Sequence, residues 1–306
     1  MFEELRNLVE LNGNRLAVVS MEQIMELRAD LTKFKDNNDE KLSDYQKRFF
    51  DFVGFDEIPP HMKSVIIVAV PRLAYAKVTW RARDKEYRAF SGAVATKARE
   101  AMEHVVVAVQ AAGFDINKEP HLPLKAIAVR SGLAQYGRNN IAYVDGMGSA
   151  VALLAFSTDA ICKSTVWREP VVSPTCTNCE VCLTLCPTNA IVSDKFLIDS
   201  DKCLTKLNQS TDGFPDWVPS TAHHSTYYCL MCQARCPMNK GLDIIELSFD
   251  EAETARILAG GESYSDATDE LKHKISLLTG FGKPDAIRNT LRALFDTMDA
   301  GHVPKL

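Results

Sequence analysis

The spacing of the cysteines constrains this chain more than any other feature of its sequence. Eight of the nine cysteines lie between Cys176 and Cys236, and the ninth is Cys162. In a long chain with apolar residues for a core elsewhere, such crowding is more typical of metal binding than of disulfides. The segment from Thr175 to Lys240 also has little aliphatic periodicity. We therefore expect bound metal to hold this segment together.

The first cysteine motif has the spacing that bacterial two-cluster ferredoxins use. It reads Cys176-Thr-Asn-Cys179-Glu-Val-Cys182-Leu-Thr-Leu-Cys186-Pro187. Three thiolates at this spacing can surround one four-iron cluster, while the fourth ligates a second cluster. The proline after the fourth cysteine fixes the backbone and turns it away from the sulfurs.

The second motif is a shortened copy of the first. It reads Cys229-Leu-Met-Cys232-Gln-Ala-Arg-Cys236-Pro237, and Cys203 between the motifs supplies the missing thiolate. Exchange of ligands between the motifs assigns cluster one to Cys176, Cys179, Cys182 and Cys236, and cluster two to Cys186, Cys203, Cys229 and Cys232. The alternative is a pair of structural zinc sites, which have little use for a third cysteine so close to a C-x2-C pair.

Two further predictions concern residues around the cluster ligands. We expect Cys162 to be a buried, inert thiol. His223 and His224 lie in the loop between cluster ligands, and we expect them to contact solvent or backbone.

The first half of the chain predicts a mixed α and β domain. Ser20 with Gln23 three residues on indicates a capped helix, and the apolar run 64–71 predicts a strand buried on both faces. We expect a helix over 89–112, and a turn at 145–146 between β-prone segments.

The C-terminal part predicts helices. We expect Ser248 to cap a helix that ends at Gly260, followed by helices around 271–278 and 284–298. The fold class is therefore α+β.

Composition sets limits on partners and location. The net charge of −5 argues against a protein that coats a polyanion, although the basic stretch 77–99, with Trp80 and Tyr87 interleaved, could meet nucleic-acid phosphates. The alternative for that stretch is a solvated helix face. The acidic start of the chain lacks an apolar run, and the longest apolar stretch, 147–156, is too short to span a bilayer. We expect a cytoplasmic protein with no membrane partner.

Two adjacent clusters form a path for electrons and need an acceptor at its end. A simple ferredoxin would not need an α/β domain of this size before its cysteines. We therefore expect a second redox site in the first half of the chain.

The segment before the cysteines carries a family resemblance. It reads Gly132-Leu-Ala-Gln-Tyr136-Gly137-Arg-Asn139-Asn140 and is followed by Gly146-Met-Gly148-Ser149. This segment, both cysteine motifs and the isolated Cys203 agree in order and spacing with the epoxyqueuosine reductase family. The resemblance covers residues 64–240, and the family's own segment is of the GLGxxGKN type.

The resemblance implies a three-part organisation and a second cofactor. It implies a nitroreductase-like cobalamin-binding domain over 1–163, a ferredoxin domain with two [4Fe-4S] clusters over 164–241, and a short helical C-terminus over 242–306. Such proteins are related to corrinoid-containing reductive dehalogenases. Their cobalamin is bound base-off, and electrons from an external low-potential donor pass through the clusters to its cobalt.

The same resemblance implies cobalamin contacts in the glycine segment. Glycines let backbone approach a macrocycle closely, and amide side chains can pair with propionamides. The alternative is a loop whose asparagines serve turn geometry. The implied contact residues are Gly132, Leu133, Gln135, Tyr136, Gly137, Asn139 and Asn140.

The chain departs from the family pattern at the proton donor. Epoxyqueuosine reductases carry an aspartate shortly before the glycine segment, whereas this register holds Lys118 and Glu119. Glu119 and His121 are the candidate catalytic acids, and the alternative is that both are only solvated. The helical C-terminus is also shorter than in the family.

The cysteine motifs and the resemblance together imply a cobalamin-dependent iron–sulfur oxidoreductase, and the specific reaction that the resemblance suggests is conversion of epoxyqueuosine to queuosine in tRNA. One alternative is a reductase of another small molecule. The other is an electron-transfer protein that activates a separate corrinoid protein and catalyses no substrate reaction itself.

Overall fold

The computed structural model describes residues 1–72, 75–93, 98–163, 166–193, 196–239, 244–279 and 284–302. The strands are β1 Arg15–Ser20, β2 Ser64–Pro71, β3 Tyr75–Ala82, β4 Lys85–Gly92, β5 Ile116–Lys118, β6 Ala134–Tyr136, β7 Ala142–Val144, β8 Val151–Thr158 and β9 Ile244–Phe249. The helices are α1 Phe2–Leu11, α2 Met21–Asn38, α3 Asp44–Asp51, α4 Ala98–Ala111, α5 Leu124–Arg130, α6 Val181–Leu185, α7 Leu204–Asn208, α8 Met231–Ala234, α9 Glu251–Ala259, α10 Glu262–Ser265, α11 Asp269–Thr279 and α12 Pro284–Asp299. The predicted α+β class is confirmed.

The chain divides into two compact units that are not continuous in sequence. The first unit contains Met1–Arg72 and Thr96–Asn178, and the second contains Leu73–Ala95 and Cys179–Leu306. The hairpin β3–β4 therefore belongs with the C-terminal helices rather than with the residues that flank it. The linear division into 1–163, 164–241 and 242–306 stays a prediction about functional modules.

The first unit is built on a four-stranded antiparallel sheet with the order β1-β2-β8-β5. The apolar side chains of β2 alternate between two cores, because successive residues of a strand point to opposite faces. Val65 and Ile67 pack in the core that includes residues of α2 and α5. Ile66 and Val68 pack with residues of α1 and α4. The strand predicted at 64–71, buried on both faces, is confirmed.

Two local predictions in the first unit are also confirmed. Ser20 and Gln23 form a reciprocal capping box at the start of α2, which satisfies two backbone N–H groups that the helix leaves unpaired. Asp145 and Gly146 lie in a turn after β7, and Gly146 has a φ of +73° that favours glycine.

The second unit is built on a three-stranded sheet with the order β4-β3-β9, in which β9 runs parallel to β3. Its inner face packs on α9, α11 and α12. Trp80 stacks on Phe249 with ring centroids 3.9 Å apart, and Tyr87 stacks on Phe295 at the same distance.

Two element predictions are wrong in this region. Residues 89–92 of the helix expected over 89–112 belong to β4, and the described helix α4 spans Ala98–Ala111. Alanine favours helices in isolation, but pairing of this segment with β3 outweighs that preference. Ser248 lies in β9 and is not a helix cap; the N-cap of α9 is Asp250, which bonds the N–H of Glu253.

The later helical predictions are confirmed. The helix capped by Asp250 ends at Gly260 as expected, and Gly260 adopts a positive φ. The helices expected around 271–278 and 284–298 correspond to α11 and α12. Within the described ranges, no helix is both long and apolar enough to cross a membrane.

Candidate iron–sulfur and cofactor site

The structure brings together the four thiols predicted to ligate cluster two. Cys186 ends α6, Cys203 is the N-cap of α7, and Cys229 and Cys232 lie at the start of α8. Burial raises the pKa of the Cys229 thiol well above its ordinary value, and the negative charges of Cys232, Cys203 and Cys186 raise it further. The electrostatic influence of these three thiols on Cys229 indicates that they lie in its neighbourhood. The arrangement fits the predicted ligand set, which itself stays a prediction.

Hydrogen bonds fix the orientation of two of these cysteines. The backbone N–H of Ala190 donates to Cys186 Sγ at 3.2 Å. The Thr205 hydroxyl accepts the N–H of Cys229 at 3.1 Å and lies 3.3 Å from its carbonyl oxygen, to which it donates. Thr205 was not predicted from the sequence, because no local motif marks a bond between residues so far apart.

The two histidines between the cluster ligands are buried, so the solvent contact that was one of the two expected environments is absent for both. His224 is buried, with Nε2 at 3.5 Å from Cys229 Sγ and Nδ1 at 2.7 Å from the carbonyl oxygen of Ala222. His223 is buried too and packs edge-on against Phe214. Burial lowers the pKa of both imidazoles. The contact of His224 with Ala222 satisfies the backbone part of the prediction.

The cysteines predicted for cluster one lie at the ends of short helical turns. Cys176 closes a turn that begins at Pro174, and its N–H donates to the carbonyl oxygen of Ser173 at 2.8 Å. Cys179 precedes α6, Cys182 lies in its first turn, and Cys236 follows α8. In the second unit, α6 and α8 contact each other, so the two motif helices are neighbours.

No three His, Cys, Asp or Glu side chains in the described part of the chain converge on a single point as ligands of one metal ion. The ligands of a four-iron cluster need not do so, because each thiolate binds a different iron atom. The donor chemistry of the eight thiols therefore fits two such clusters.

Cys162 departs from its prediction in exposure. It is half-buried rather than buried, and it lines a cavity of about 560 Å³ within the first unit. Gly132 and Leu133 line the same cavity, together with Arg6 and Arg15.

The predicted cobalamin segment forms the hairpin β6–β7, whose loop is held by its own side chains. Asn139 is buried, and its amide donates to the Tyr143 hydroxyl at 2.9 Å. A Cβ at Gly137 would lie 2.5 Å from Tyr143 Cε2, so this packing requires glycine. Asn140 adopts a left-handed conformation with φ +59°, and its side-chain oxygen accepts a bond from Lys125 at 3.1 Å.

The remaining residues of the segment differ in exposure. Tyr136 is buried, and burial raises its pKa to about 12. Gly132 and Gln135 are exposed, and Leu133 is half-buried. Gly132 has a φ of +76°, a conformation that favours glycine. The edge formed by Gly132, Leu133 and Gln135 is thus open to a ligand, whereas Asn139 and Tyr136 chiefly build the loop.

The candidate acids lie two residues apart at the end of β5. Glu119 is buried, with Oε1 accepting a bond from the Ser157 hydroxyl at 2.5 Å. Burial raises the pKa of this carboxyl, the Ser157 bond opposes the shift, and the charge of Glu57 adds to it. His121 is exposed and contacts Glu57 through Nδ1 at 2.8 Å. Glu119 is therefore not a merely solvated carboxylate.

Within the basic stretch 77–99, residues 77–92 form the β3–β4 hairpin rather than a helix face, and residues 98–99 begin α4. Trp80 and Tyr87 are buried in the core and are not available to stack on bases. Arg81 and Arg88 pair with Glu86, and Arg83 and Lys85 pair with Asp299. Much of the basic charge is thus balanced by carboxylates within the second unit.

The folded thiol segment and its spacing define a class of protein that carries two iron–sulfur clusters. Residues 175–239 match the family described as 4Fe-4S double cluster binding domain. The protein therefore contains two [4Fe-4S] clusters.

The wider similarity is to epoxyqueuosine reductases. The chain is 29% identical over 187 residues to that enzyme of Bacillus subtilis and 27% identical over 187 residues to that of Bacillus anthracis, covering 60% of this chain and 47% of each relative. It thus spans about half the length of these relatives. The resemblance drawn from the motifs is confirmed.

Solved structures show the same fold. A crystal structure of epoxyqueuosine reductase with an epoxyqueuosine-modified tRNA stem loop aligns with a TM-score of 0.70 and 20% identity, covering 99% of this chain and 83% of that chain. The enzyme of Streptococcus thermophilus aligns with a TM-score of 0.66 and 15% identity, covering 97% of this chain and 81% of that chain. The protein has the fold of epoxyqueuosine reductases, as expected.

Proposed function

We propose that this protein is a cobalamin-dependent iron–sulfur reductase that converts epoxyqueuosine to queuosine in tRNA. The observation that carries the proposal is the double-cluster cysteine segment of residues 175–239 in a chain with the fold of epoxyqueuosine reductases. The similarity in sequence to epoxyqueuosine reductases supports the choice of substrate.

The exposed edge formed by Gly132, Leu133 and Gln135 would contact the corrinoid, and the bonds within the β6–β7 loop would hold that edge in place. Gly137, Asn139, Asn140 and Tyr136 act in this proposal mainly by shaping the loop. When bound, the corrinoid would supply a reducible, nucleophilic cobalt centre, which no side chain can provide. The protein would position the cofactor and deliver electrons and a proton.

Glu119 is the proposed proton donor, with His121 as the alternative. A carboxyl group whose pKa is raised by burial retains its proton at higher pH than an exposed one. A positioned acid typically contributes about 10²–10⁴-fold to such a step. His121, held by Glu57, is more exposed than Glu119.

The first test is the metal content of protein prepared without oxygen. We expect about eight irons per chain from two four-iron clusters. Cys203→Ala should lose one cluster and retain the other. Four irons or fewer in the intact chain, or zinc in their place, would contradict the ligand assignment.

The second test is turnover of epoxyqueuosine-modified tRNA stem loop by protein loaded with iron and cobalamin. With a low-potential external electron donor, we expect queuosine to form, detected by mass spectrometry of the digested RNA. Glu119→Gln should slow turnover by about 10²-fold or more while the cluster and corrinoid spectra stay unchanged. Exposed Glu103→Gln is the matched control.

Other outcomes separate the alternatives. If the loaded protein leaves the RNA unchanged but oxidises its clusters when another small molecule is added, the substrate assignment is wrong and the protein reduces that molecule. If it binds no corrinoid but transfers electrons to a separate corrinoid protein, it is an activating partner.

A further inference from the structure

We propose that Arg138 holds a permanent positive charge against the first ligand of cluster one and thereby raises the reduction potential of that cluster. The inference deepens the proposed function and rests on its assignment of Cys176 to cluster one. Arg138 lies in the glycine segment but is not among the implied cobalamin contacts, and no role in the fold has been assigned to it.

The guanidinium of Arg138 binds the peptide of the first cluster ligand directly. Its Nη2 donates to the carbonyl oxygen of Cys176 at 2.6 Å and lies 3.4 Å from the carbonyl oxygen of Thr177. Its Nε is buried and has no hydrogen-bond partner in the described structure. The side chain is therefore fixed on the cysteine turn and does not extend freely into solvent.

The backbone on both sides of this contact is also joined. The N–H of Tyr136 donates to the carbonyl oxygen of Val171 at 3.2 Å, and the N–H of Ser173 donates to the carbonyl oxygen of Tyr136 at 2.7 Å. The N–H of Cys176 in turn bonds the carbonyl oxygen of Ser173 at 2.8 Å. This chain of bonds gives Arg138 and Cys176 a defined relative position within the first unit.

The charge of Arg138 is not balanced at the contact. Both partners of Nη2 are neutral carbonyl oxygens, and a guanidinium remains protonated throughout the accessible pH range. Reduction adds one negative charge to an iron–sulfur cluster. A fixed cation beside a ligand stabilises the reduced form more than the oxidised form, which raises the potential.

Arginine at this position differs from the lysine of the family's GLGxxGKN-type segment. A planar guanidinium can bind two neighbouring carbonyl oxygens, whereas an ammonium group acts as a compact charge on a flexible stem. Arg138 is therefore a positioning residue as well as a charge. The two contributions can be separated by substitution.

The experiment is a redox titration of the full chain, loaded with both clusters and free of corrinoid, followed by electron paramagnetic resonance. Cys203→Ala, which should retain cluster one alone, identifies the wave of that cluster. We expect Arg138→Gln, which keeps hydrogen-bond donors and removes the charge, to lower the ratio of reduced to oxidised cluster one about tenfold at the wild-type midpoint. This corresponds to a shift of about 59 mV for one electron. The wave of cluster two should not move.

Two further variants make the test specific. Arg138→Lys keeps the charge and should leave the midpoint of cluster one close to that of the wild type. Arg6→Gln is the matched control, because Arg6 also donates to a backbone carbonyl oxygen, that of Leu16 at 2.7 Å, and is partly buried in the same unit. It should shift neither wave.

The proposal is overturned if Arg138→Gln leaves both waves in place, shifts both waves equally, or prevents cluster one from assembling. It is also overturned if Arg138→Lys shifts cluster one as far as Arg138→Gln does. Because the titration contains no corrinoid, a shift in cluster one supports the proposal even if the protein fails to reduce epoxyqueuosine. Conversely, active protein with unchanged waves would reject only the role of Arg138.

Discussion

At the scale of single residues, the buried carboxyl of Glu119 makes stability depend on pH. Its pKa is raised in the folded protein, chiefly by burial, so the folded state binds a proton more readily than the unfolded chain does. The stabilisation from this proton is complete below the unfolded pKa and is lost as pH rises through the folded pKa. His121, Glu57 and Ser157 are the groups that modify the shift.

Replacing Glu119 by Gln should remove this dependence. We expect the free energy of unfolding of the wild type to fall relative to that of Glu119→Gln as pH rises from about 4 towards neutrality, starting near the ordinary pKa of glutamate. Denaturant unfolding at several pH values measures the difference. Glu103→Gln, at an exposed site, should give a curve parallel to that of the wild type. A constant difference between Glu119→Gln and wild type would contradict the raised pKa.

Thr205 offers a second prediction at this scale, on the retention of cluster two. Its hydroxyl binds both the N–H and the carbonyl oxygen of Cys229 and stands two residues after Cys203, so it ties two ligands of one cluster together. In the Thr205→Val variant, we expect the iron of cluster two, which is half of the total, to pass to a chelator about 10–100-fold faster than in the wild type. Anaerobic chelation kinetics measure this rate.

Two control variants accompany this prediction, a conservative substitution at Thr205 and removal of a hydroxyl at Thr254. Thr205→Ser keeps the hydroxyl and should restore slow release. Thr254→Val removes a buried hydroxyl that donates to the carbonyl oxygen of Asp250, the N-cap of α9, and should leave iron release unchanged. Equal rates for Thr205→Val and Thr205→Ser would show that the hydroxyl does not hold the ligand.

At the scale of elements, the β6–β7 hairpin depends on one glycine for packing. A methyl group at Gly137 would meet the ring of Tyr143 and the side-chain oxygen of Asn139. We expect Gly137→Ala to lower the free energy of unfolding by about 1–3 kcal/mol through overpacking. Thermal or denaturant unfolding measures the change.

A double-mutant cycle separates crowding from backbone strain. The cost of Gly137→Ala should shrink when Tyr143 is replaced by Ala, because the colliding ring is then absent. Gly13→Ala is the control substitution. Gly13 has φ +74°, and a Cβ added there would have no atom within 4 Å, so the loss of stability comes from backbone strain alone. Its cost should be the same with or without Tyr143. Additivity at Gly137 would contradict the packing argument.

At the scale of the whole molecule, the C-terminal region completes a core begun by the β3–β4 hairpin. β9 extends the sheet of β3 and β4, the inner face of this sheet packs on α9, α11 and α12, and Trp80 stacks on Phe249. We expect a chain ending at residue 241 to be largely insoluble, because this face would be exposed. Expression of the truncated chain and measurement of its soluble fraction test the expectation.

A point substitution tests the same core without deleting a segment. Phe249→Ala should cost about 3–5 kcal/mol, since it empties a buried aromatic site. Phe52→Ala, at a ring that is 75% exposed, should change stability by less than about 0.5 kcal/mol. A soluble, folded chain of residues 1–241 would show that the C-terminal helices are a dispensable cap.

The sequence by itself determined the features that depend on short spacings. The cysteine motifs indicated two four-iron clusters, because the geometry of a cluster restricts which neighbouring thiolates can reach it. The buried strand at 64–71 and the capping box at Ser20 were also predictable, since alternation and capping are local. The wider family likeness followed from the order of these motifs along the chain.

Only the tertiary structure decided the features that join distant segments. The parallel pairing of β3 with β9, the burial of Trp80 and Glu119, and the contact of Arg138 with Cys176 all depend on long-range packing. A basic stretch with scattered alanines has no local signal that distinguishes a hairpin from a helix face. Its state is set by the apolar surface that other segments offer, because burial there outweighs intrinsic propensity.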